Sequence, residues 1–599
     1  EPYAFTRVEI ASYNTALPKY LLAAATCLLL GGIHGFIVQV PAVRLWLSLA
    51  GEPAHLLVRE VSEQLVIVGG AVMLTMGLTC YALPALIGRP LRNHNLARLS
   101  FVLTFAGVLL TALVTATVGL LEGVYVHAGA TYAEARAWLG PWERFPLWLF
   151  EGARDAGYWT FALLILLTVL SSRNVIWPRH RRRLTGWLLV SAAAFFLVVW
   201  QRIFQVLPGN PLLLEPGDEA TILTGYQGYI HLHLYVGALV PVAAATFVYL
   251  LERKAERRTD WYQANRVLGG LAIAGSAFYL ARLGLGLYGA YLPPRLAAHL
   301  PGPWRAGLLG LTGVGMLAAL VGYFAFTTGL ARAARSYLPR VTTGTLTVSL
   351  GLAFLAGLHG ALLALRQPAA PGPGSEAHGI LAVGATLLLP ALTLADLLLV
   401  DTARARPTVN LFHAGLGFLG ASFVLAYLAA LGLGGPAAAL AAAGLQLAGF
   451  LTFALHTYQA TRGYRQALRG RLHFLRPANA THPSPLALLE LPRSQVLLIE
   501  FLAALFGFPG FGWLFAGHAL AAVLLLYIGP AVAWALIPSL FTLSQGWLYR
   551  LNWNVLLFYL PASALISTLG LRARLLRHQP TQAETGQDAE PAASEVENR

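Results

Sequence analysis

Apolar runs of about 20 residues recur along this chain, the length a helix needs to cross a hydrocarbon core of ~30 Å. Within its 599 residues such runs fall at 19–41, 62–88, 97–122, 146–171, 184–206, 225–251, 266–292, 304–330, 342–366, 376–400, 408–433 and 436–460. Three more follow at 496–516, 517–540 and 553–573. Only 11% of the residues are charged and 57% are hydrophobic, whereas about a quarter of a soluble domain is charged. The expected fold class is therefore all-α, a polytopic transmembrane bundle in contact with the lipid bilayer. Its expected parts are a twelve-span core at 1–461, a basic cytoplasmic loop at 462–495, two or three extra membrane helices at 496–577 and a tail at 578–599. The tail is rich in Gln, Glu, Ala and Pro, has little to bury, and is expected to be disordered.

Charge sets the expected orientation. Arg89, Arg92 and Arg98, then Arg173, Arg179 and Arg181 to Arg183, then Arg253, Lys254, Arg257 and Arg258 follow even-numbered runs. Arg332, Arg335 and Arg340, Arg404 and Arg406, and Arg462 to Arg476 continue the series. Loops after odd-numbered runs hold scattered cases such as Arg44, Arg136 and Arg295. The positive-inside rule then places the even loops and the N-terminus in the cytoplasm. A bacterial or archaeal inner membrane is the expected location. The net charge of +15 sits in these short loops and implies no nucleic-acid partner. The two cysteines, Cys27 and Cys80, lie within spans and indicate neither a disulfide framework nor a thiolate metal site. No signal peptide is expected before the first run. In the last block, Phe508-Pro509-Gly510-Phe511-Gly512 could end a short re-entrant helix, which would leave fourteen crossings and keep Arg572 and Arg574 inside.

Ionisable residues inside a membrane are costly and are functional candidates by default. His34, His233, His359 and His378 share the expected outer leaflet, while His413 and His456 lie towards the inner ends of their runs. His231 is two residues from His233, about 200° round a helix, so only one of the two can face a given centre. Each imidazole could donate an interhelical hydrogen bond or bind haem iron or copper. Glu151 and Asp155 lie one turn apart with Arg154 beside them, and Arg202 could reach this group as an intramembrane polar network. Arg59 and Glu63 have i,i+4 spacing, whereas Arg282 and Asp396 have no obvious local partner.

Three stretches resemble subunit I of the haem-copper oxidase superfamily, nearest the nitric oxide reductase branch. Tyr81-Ala82-Leu83-Pro84-Ala85-Leu86-Ile87-Gly88-Arg89 is similar to the end of that family's second span. His233-Leu234-Tyr235-Val236-Gly237 is similar to its sixth-span motif, and Ala377-His378-Gly379-Ile380-Leu381-Ala382 to its tenth-span motif. The resemblance covers residues 1–460 and implies three arcs of four helices. It also implies a haem on His378 and a second metal on His233; His359 is a further cofactor candidate from its own place within a span.

The departures are informative. Ile380 stands where the family has a second haem-binding histidine, and the other ligand of that haem aligns near Glu63 or Gln64. Leu285 and Gly286 stand where the second metal's adjacent histidines are expected, and Gly237 replaces the catalytic glutamate of the reductase branch. The resemblance therefore implies a diverged subunit with at most one haem b and no oxygen or nitric oxide reduction by the family's usual mechanism. Its expected partners are membrane or cytochrome subunits of a respiratory assembly. Two alternatives stay open at this point. One is a redox enzyme that uses other histidines, such as His34, His359 and His413; the other is a cofactor-free transporter.

Overall fold

The computed structural model describes residues 16–87, 94–170, 179–206, 230–254, 261–291, most of 313–329, 340–365, 373–403, 409–472, 493–505, a few positions from 509 to 525, and 561–576. All of its regular structure is helical. Among the described residues, ten helices are long and apolar enough to cross a membrane. The chain is a multi-pass integral membrane protein, built as an all-α bundle. Two compact units divide it, Glu1–Ala480 and Thr481–Arg599.

In the first unit, α1 spans Ala16–Gln39 and breaks at Val40, where Pro41 starts the short helix α2 (Pro41–Ala50). Proline suits that first position because its missing N–H would have no intrahelical partner. Helix α3 runs Glu52–Ile87, about ten residues earlier than its apolar run suggests. Then come α4 (His94–His127), the short α5 (Tyr132–Leu139), α6 (Pro141–Leu170) and α7 (Arg179–Val206). Helix α8 joins Leu232–Leu239 to Val240–Lys254, and α9 covers Trp261–Tyr291. The shorter α10 lies at Gly313–Gly329 and α11 at Arg340–Leu365. Helix α12 joins Pro373–Ile380, Leu381–Leu388 and Leu389–Ala403. Helices α13 (Val409–Ala430) and α14 (Gly435–Leu472) complete the unit. Each of the twelve apolar runs of the expected core overlaps one of these helices. Helix α14 runs on to Leu472, so the first part of the expected basic loop is helical. Ala, Leu, Gln and Arg are good helix formers, and cations suit a helix C-terminus.

Three helices stand apart from the rest. The most apolar windows of α3, α8 and α12 are 78%, 100% and 83% buried, against at most 56% in the other seven of these ten helices. These are the second, sixth and tenth apolar runs of the sequence. Each winds partly with wide i→i+5 turns, at Glu63–Val72, Leu232–Leu239 and Leu381–Leu388. Each of these wide-turned segments touches the other two. Such turns distort the backbone and recur at functional sites.

The peripheral helices pack in hairpins through glycines. A Cβ on Gly107 of α4 would meet the Arg154 backbone of α6 at 2.5 Å, and one on Gly322 of α10 would meet Gly270 of α9 at the same distance. Gly415 of α13 faces Thr452 of α14 in the same way. Small residues let backbones approach where lipid supplies no hydrophobic drive between helices. Leu113 and Leu120 of α4, Leu362 of α11 and Leu455 of α14 are exposed, as an apolar surface in lipid should be. Helix α14 packs back on α1, which joins the two ends of this unit's sequence.

In the second unit, α15 (Arg493–Leu505) and a helix α16 over 561–576 are described. Glu500 is fully buried in α15, and its carboxylate accepts the Gly510 N–H at 2.8 Å and the Gly512 N–H at 2.6 Å. The Ser567 hydroxyl donates to Glu500, and the Trp513 indole donates to Ser567. This carboxylate ties the Pro509–Gly512 turn to α15, the turn that sequence reading singled out as a re-entrant bend. Gly510 has φ +117°, a conformation that favours glycine. Nearly all of the expected run at 517–540 and the whole tail at 578–599 lie outside the described residues.

Candidate functional site

With the membrane sides named as the charge pattern expects, the outer ends of α8, α11 and α12 bring three imidazoles together. His378 sits three residues before the wide-turned segment of α12 and is at the centre. Its ring lies 6.1 Å from that of His359 on α11 and 6.4 Å from that of His231 on α8, between centroids. The His378 Nδ1 lies 3.0 Å from the Ala356 carbonyl. A carbonyl can only accept, so Nδ1 carries the proton and Nε2 keeps its lone pair. Gly360 makes room for this ring: a Cβ there would come within 2.6 Å of the His378 Cε1. The Nδ1 of His359 is buried and has no hydrogen-bond partner among the described residues. Aromatic rings complete the cluster. Phe278 of α9 stacks on His231 at 3.9 Å, and Tyr427 of α13 lies 5.6 Å from His359. Tyr235 meets Tyr323 edge-on at 4.9 Å.

His378 and His359 thus meet, but His233 does not join them. Its buried ring lies 5.4 Å from Tyr158 of α6 and 5.5 Å from Phe195 of α7. The 200° separation expected between the neighbouring histidines is therefore realised with His231, not His233, towards His378. Nothing in the sequence chooses between the two, because the rotation of α8 depends on its packing against α6, α7 and α9. On that face Tyr235 lies one turn from His231, with 5.6 Å between the rings.

The second polar group forms on α6. Arg154 is fully buried, and its guanidinium donates twice to Asp155, at 3.0 and 2.9 Å. It also donates to the Gln64 side-chain oxygen at 2.8 Å, so the polar network draws in α3. Glu151 is half-buried on the same helix. The backbone of Arg202 belongs to α7, but the side chains of Arg202 and Arg282 lie outside the described residues. Gln64 is one of the two positions the family resemblance aligns with a haem ligand, and here it accepts from an arginine.

The other histidines are dispersed. His34 lies 3.2 Å from the Ser62 hydroxyl, and His413 lies beside Phe412. Asp396, which has no partner along its own helix, finds one across the bundle: the His456 Nε2 at 2.5 Å. Among the described residues no group of three or more His, Cys, Asp or Glu side chains stands ready to hold a metal ion. No family model matches the chain, and no curated protein matches it.

Proposed function

We propose that the chain is a diverged membrane subunit with the frame of haem-copper oxidase subunit I, nearest the nitric oxide reductase branch. In this reading twelve helices form three arcs of four, with the Arg-rich loops and the N-terminus in the cytoplasm of a bacterium or archaeon. The observation that carries the reading is the recurrence at every fourth helix. The second, sixth and tenth runs are the most enclosed, all three carry wide turns, and they meet one another. A three-arc frame needs one inner helix per arc, and the enclosure of these three supports that reading.

The donor set fits one haem b. His378 offers an Nε2 lone pair, its tautomer held by the Ala356 carbonyl, which is how a proximal imidazole is normally oriented. A bound haem would supply one-electron transfer or binding of a small gas. His231, His359 and Phe278 would enclose it, and Gly360 would let the His378 ring seat against α11. A second haem does not fit: Ile380 has no donor, and Gln64 is engaged by Arg154. The binuclear centre does not fit either, because Leu285 and Gly286 offer no ligand and the His233 ring lies among Tyr158 and Phe195. The chain therefore serves an electron-transfer assembly as a single-haem subunit, and the helices after residue 493 suit docking to partner subunits.

The test is an optical spectrum and haem quantitation of the purified full-length chain. One b-type haem per chain is expected, lost in His378→Ala while the helical circular dichroism is retained. A colourless preparation, two haems per chain, or undiminished haem in His378→Ala would each overturn the reading.

A further inference from the structure

The Asp396–His456 pair has no part in the outer cluster, and it lies in the opposite half of the membrane. Sixty residues separate the two in sequence, and α12 and α14 bring them together with Nε2 and Oδ1 2.5 Å apart. The side chains are 8% and 1% exposed. Asp396 lies seven residues before the end of α12, and His456 six residues before Arg462. At 1.5 Å per residue both are about 10 Å from the side that carries the Arg-rich loops.

Two threonines mark a route to that side. Thr457 and Thr461 are buried, and neither hydroxyl has a hydrogen-bond partner among the described residues. Threonine in a helix can close on its own backbone, as Thr393 does on the Leu389 carbonyl and Thr452 on the Gly449 carbonyl, both at 2.8 Å. Thr457 and Thr461 do not. A buried hydroxyl left unmatched costs about 1–3 kcal/mol, which a bound water relieves. These two lie one turn apart and lead from the pair to the inner end of α14.

In the other direction the described side chains are apolar or satisfied on their own helices. Phe450 and Phe453 of α14 and Leu388, Leu389 and Leu392 of α12 are buried and apolar, and Thr393 and Thr452 spend their hydroxyls on their own helices.

We propose that Asp396 and His456 form a proton-binding site that exchanges with the basic-loop side of the membrane through water at Thr457 and Thr461. An imidazole and a carboxylate in contact bind and release protons as one unit. Uptake adds one proton that the Asp396 carboxyl and the His456 Nε2 share, the form with the proton on Asp396 being the one a carbodiimide attacks, and release returns that proton to the inner water. Other ionisable groups at this depth on the packed helices are His413 on α13, Lys19 and Tyr20 on α1, Cys80 on α3 and Tyr249 on α8. Lys19 is exposed and Tyr20 is bonded to Ser100. The Phe412 ring contacts both His413, at 6.1 Å, and His456, at 4.9 Å.

The experiment uses the full chain in sealed vesicles of known orientation, with dicyclohexylcarbodiimide, which reacts with protonated carboxyl groups in membranes. Mass spectrometry reads the labelling of Asp396 while pH is changed on one side at a time. Labelling should follow the pH of the basic-loop side and ignore the other. His456→Gln removes the imidazole that shares the proton and should change the extent of Asp396 labelling at a fixed inner pH at least several-fold. Thr461→Val removes an unmatched hydroxyl without touching the pair, so it should fold, and it should slow the response to inner pH at least several-fold. Labelling that follows the outer pH, that is indifferent to pH, or that is suppressed by sodium ions at constant pH would overturn the proposal. An unchanged response in Thr461→Val would overturn the route.

Discussion

The outer histidine cluster and the inner Asp396–His456 pair use the same side chain for opposite purposes. Around His378 the described neighbours are other imidazoles, aromatic rings and one backbone carbonyl. An imidazole held there by a carbonyl remains a neutral Lewis base, suited to a metal or haem iron. His456 instead contacts a carboxylate in apolar surroundings, and that arrangement handles protons. What a membrane histidine can do is therefore decided by whether its neighbour is a dipole or a charge.

The sharpest way to break this contrast is to remove the acid. Asp396→Ala should cost about 1–3 kcal/mol, because the buried His456 Nε2 loses the hydrogen-bond partner that Asp396 provides. Asp396→Asn keeps a hydrogen-bonding atom and should cost clearly less. Denaturant unfolding of the two variants in one detergent decides this, and equal losses would mean that the pair acts only through packing. The next effect concerns the outer cluster. Gly360→Ala puts a methyl within 2.6 Å of the His378 ring and should cost ~1–3 kcal/mol by overpacking. Gly379→Ala, with nothing within 4 Å of its Cβ, should stay within about 0.5 kcal/mol of the parent. A thermal shift assay comparing the two separates a seat for His378 from general helix stiffening.

His359→Leu should be nearly neutral or stabilising in the same assay, because its buried Nδ1 is unmatched and an apolar replacement removes that penalty. A loss comparable to that of Asp396→Ala would show that His359 has a structural partner and would erase the contrast. The smallest effect lies outside the membrane, where a carboxylate caps α5. Glu134 accepts from the Thr131 N–H at 2.7 Å and the Thr131 hydroxyl at 2.9 Å. The Thr131 backbone hydrogen bond, then the hydroxyl, holds its carboxyl below the ordinary value of 4.5. A depressed carboxyl supports α5 at pH above that ordinary value, and the support is lost as pH falls through the lowered one. Amide exchange at Thr131 should therefore speed up only in the acid range, and Glu134→Gln should abolish the pH response.

The two ends of α14 show how far sequence carried this fold. Its apolar run marks a span because hydrocarbon demands that every backbone group be satisfied within the segment. Its charged continuation to Leu472 reads as a loop by hydropathy alone, since helix propensity beyond the membrane leaves no apolar signature. The outer site is legible in part for the same reason. His359 and His378 flank one short Pro/Gly-rich connection, so proximity along the chain places them together. His231 and Tyr427 come from distant helices, and no local signal ties them to that cluster.

By itself the sequence determined that the chain is a membrane protein, where its helices lie, and which residues are costly enough inside a bilayer to need a reason. Those follow from transfer free energies and backbone satisfaction, which act residue by residue. Only the tertiary structure decided which of those residues meet: that His231 rather than His233 turns to His378, that Arg154 takes Gln64, and that Asp396 pairs with His456. Such choices depend on the rotation and depth of each helix. Those are set by glycines, wide turns and neighbouring side chains packed against each other from opposite ends of the sequence.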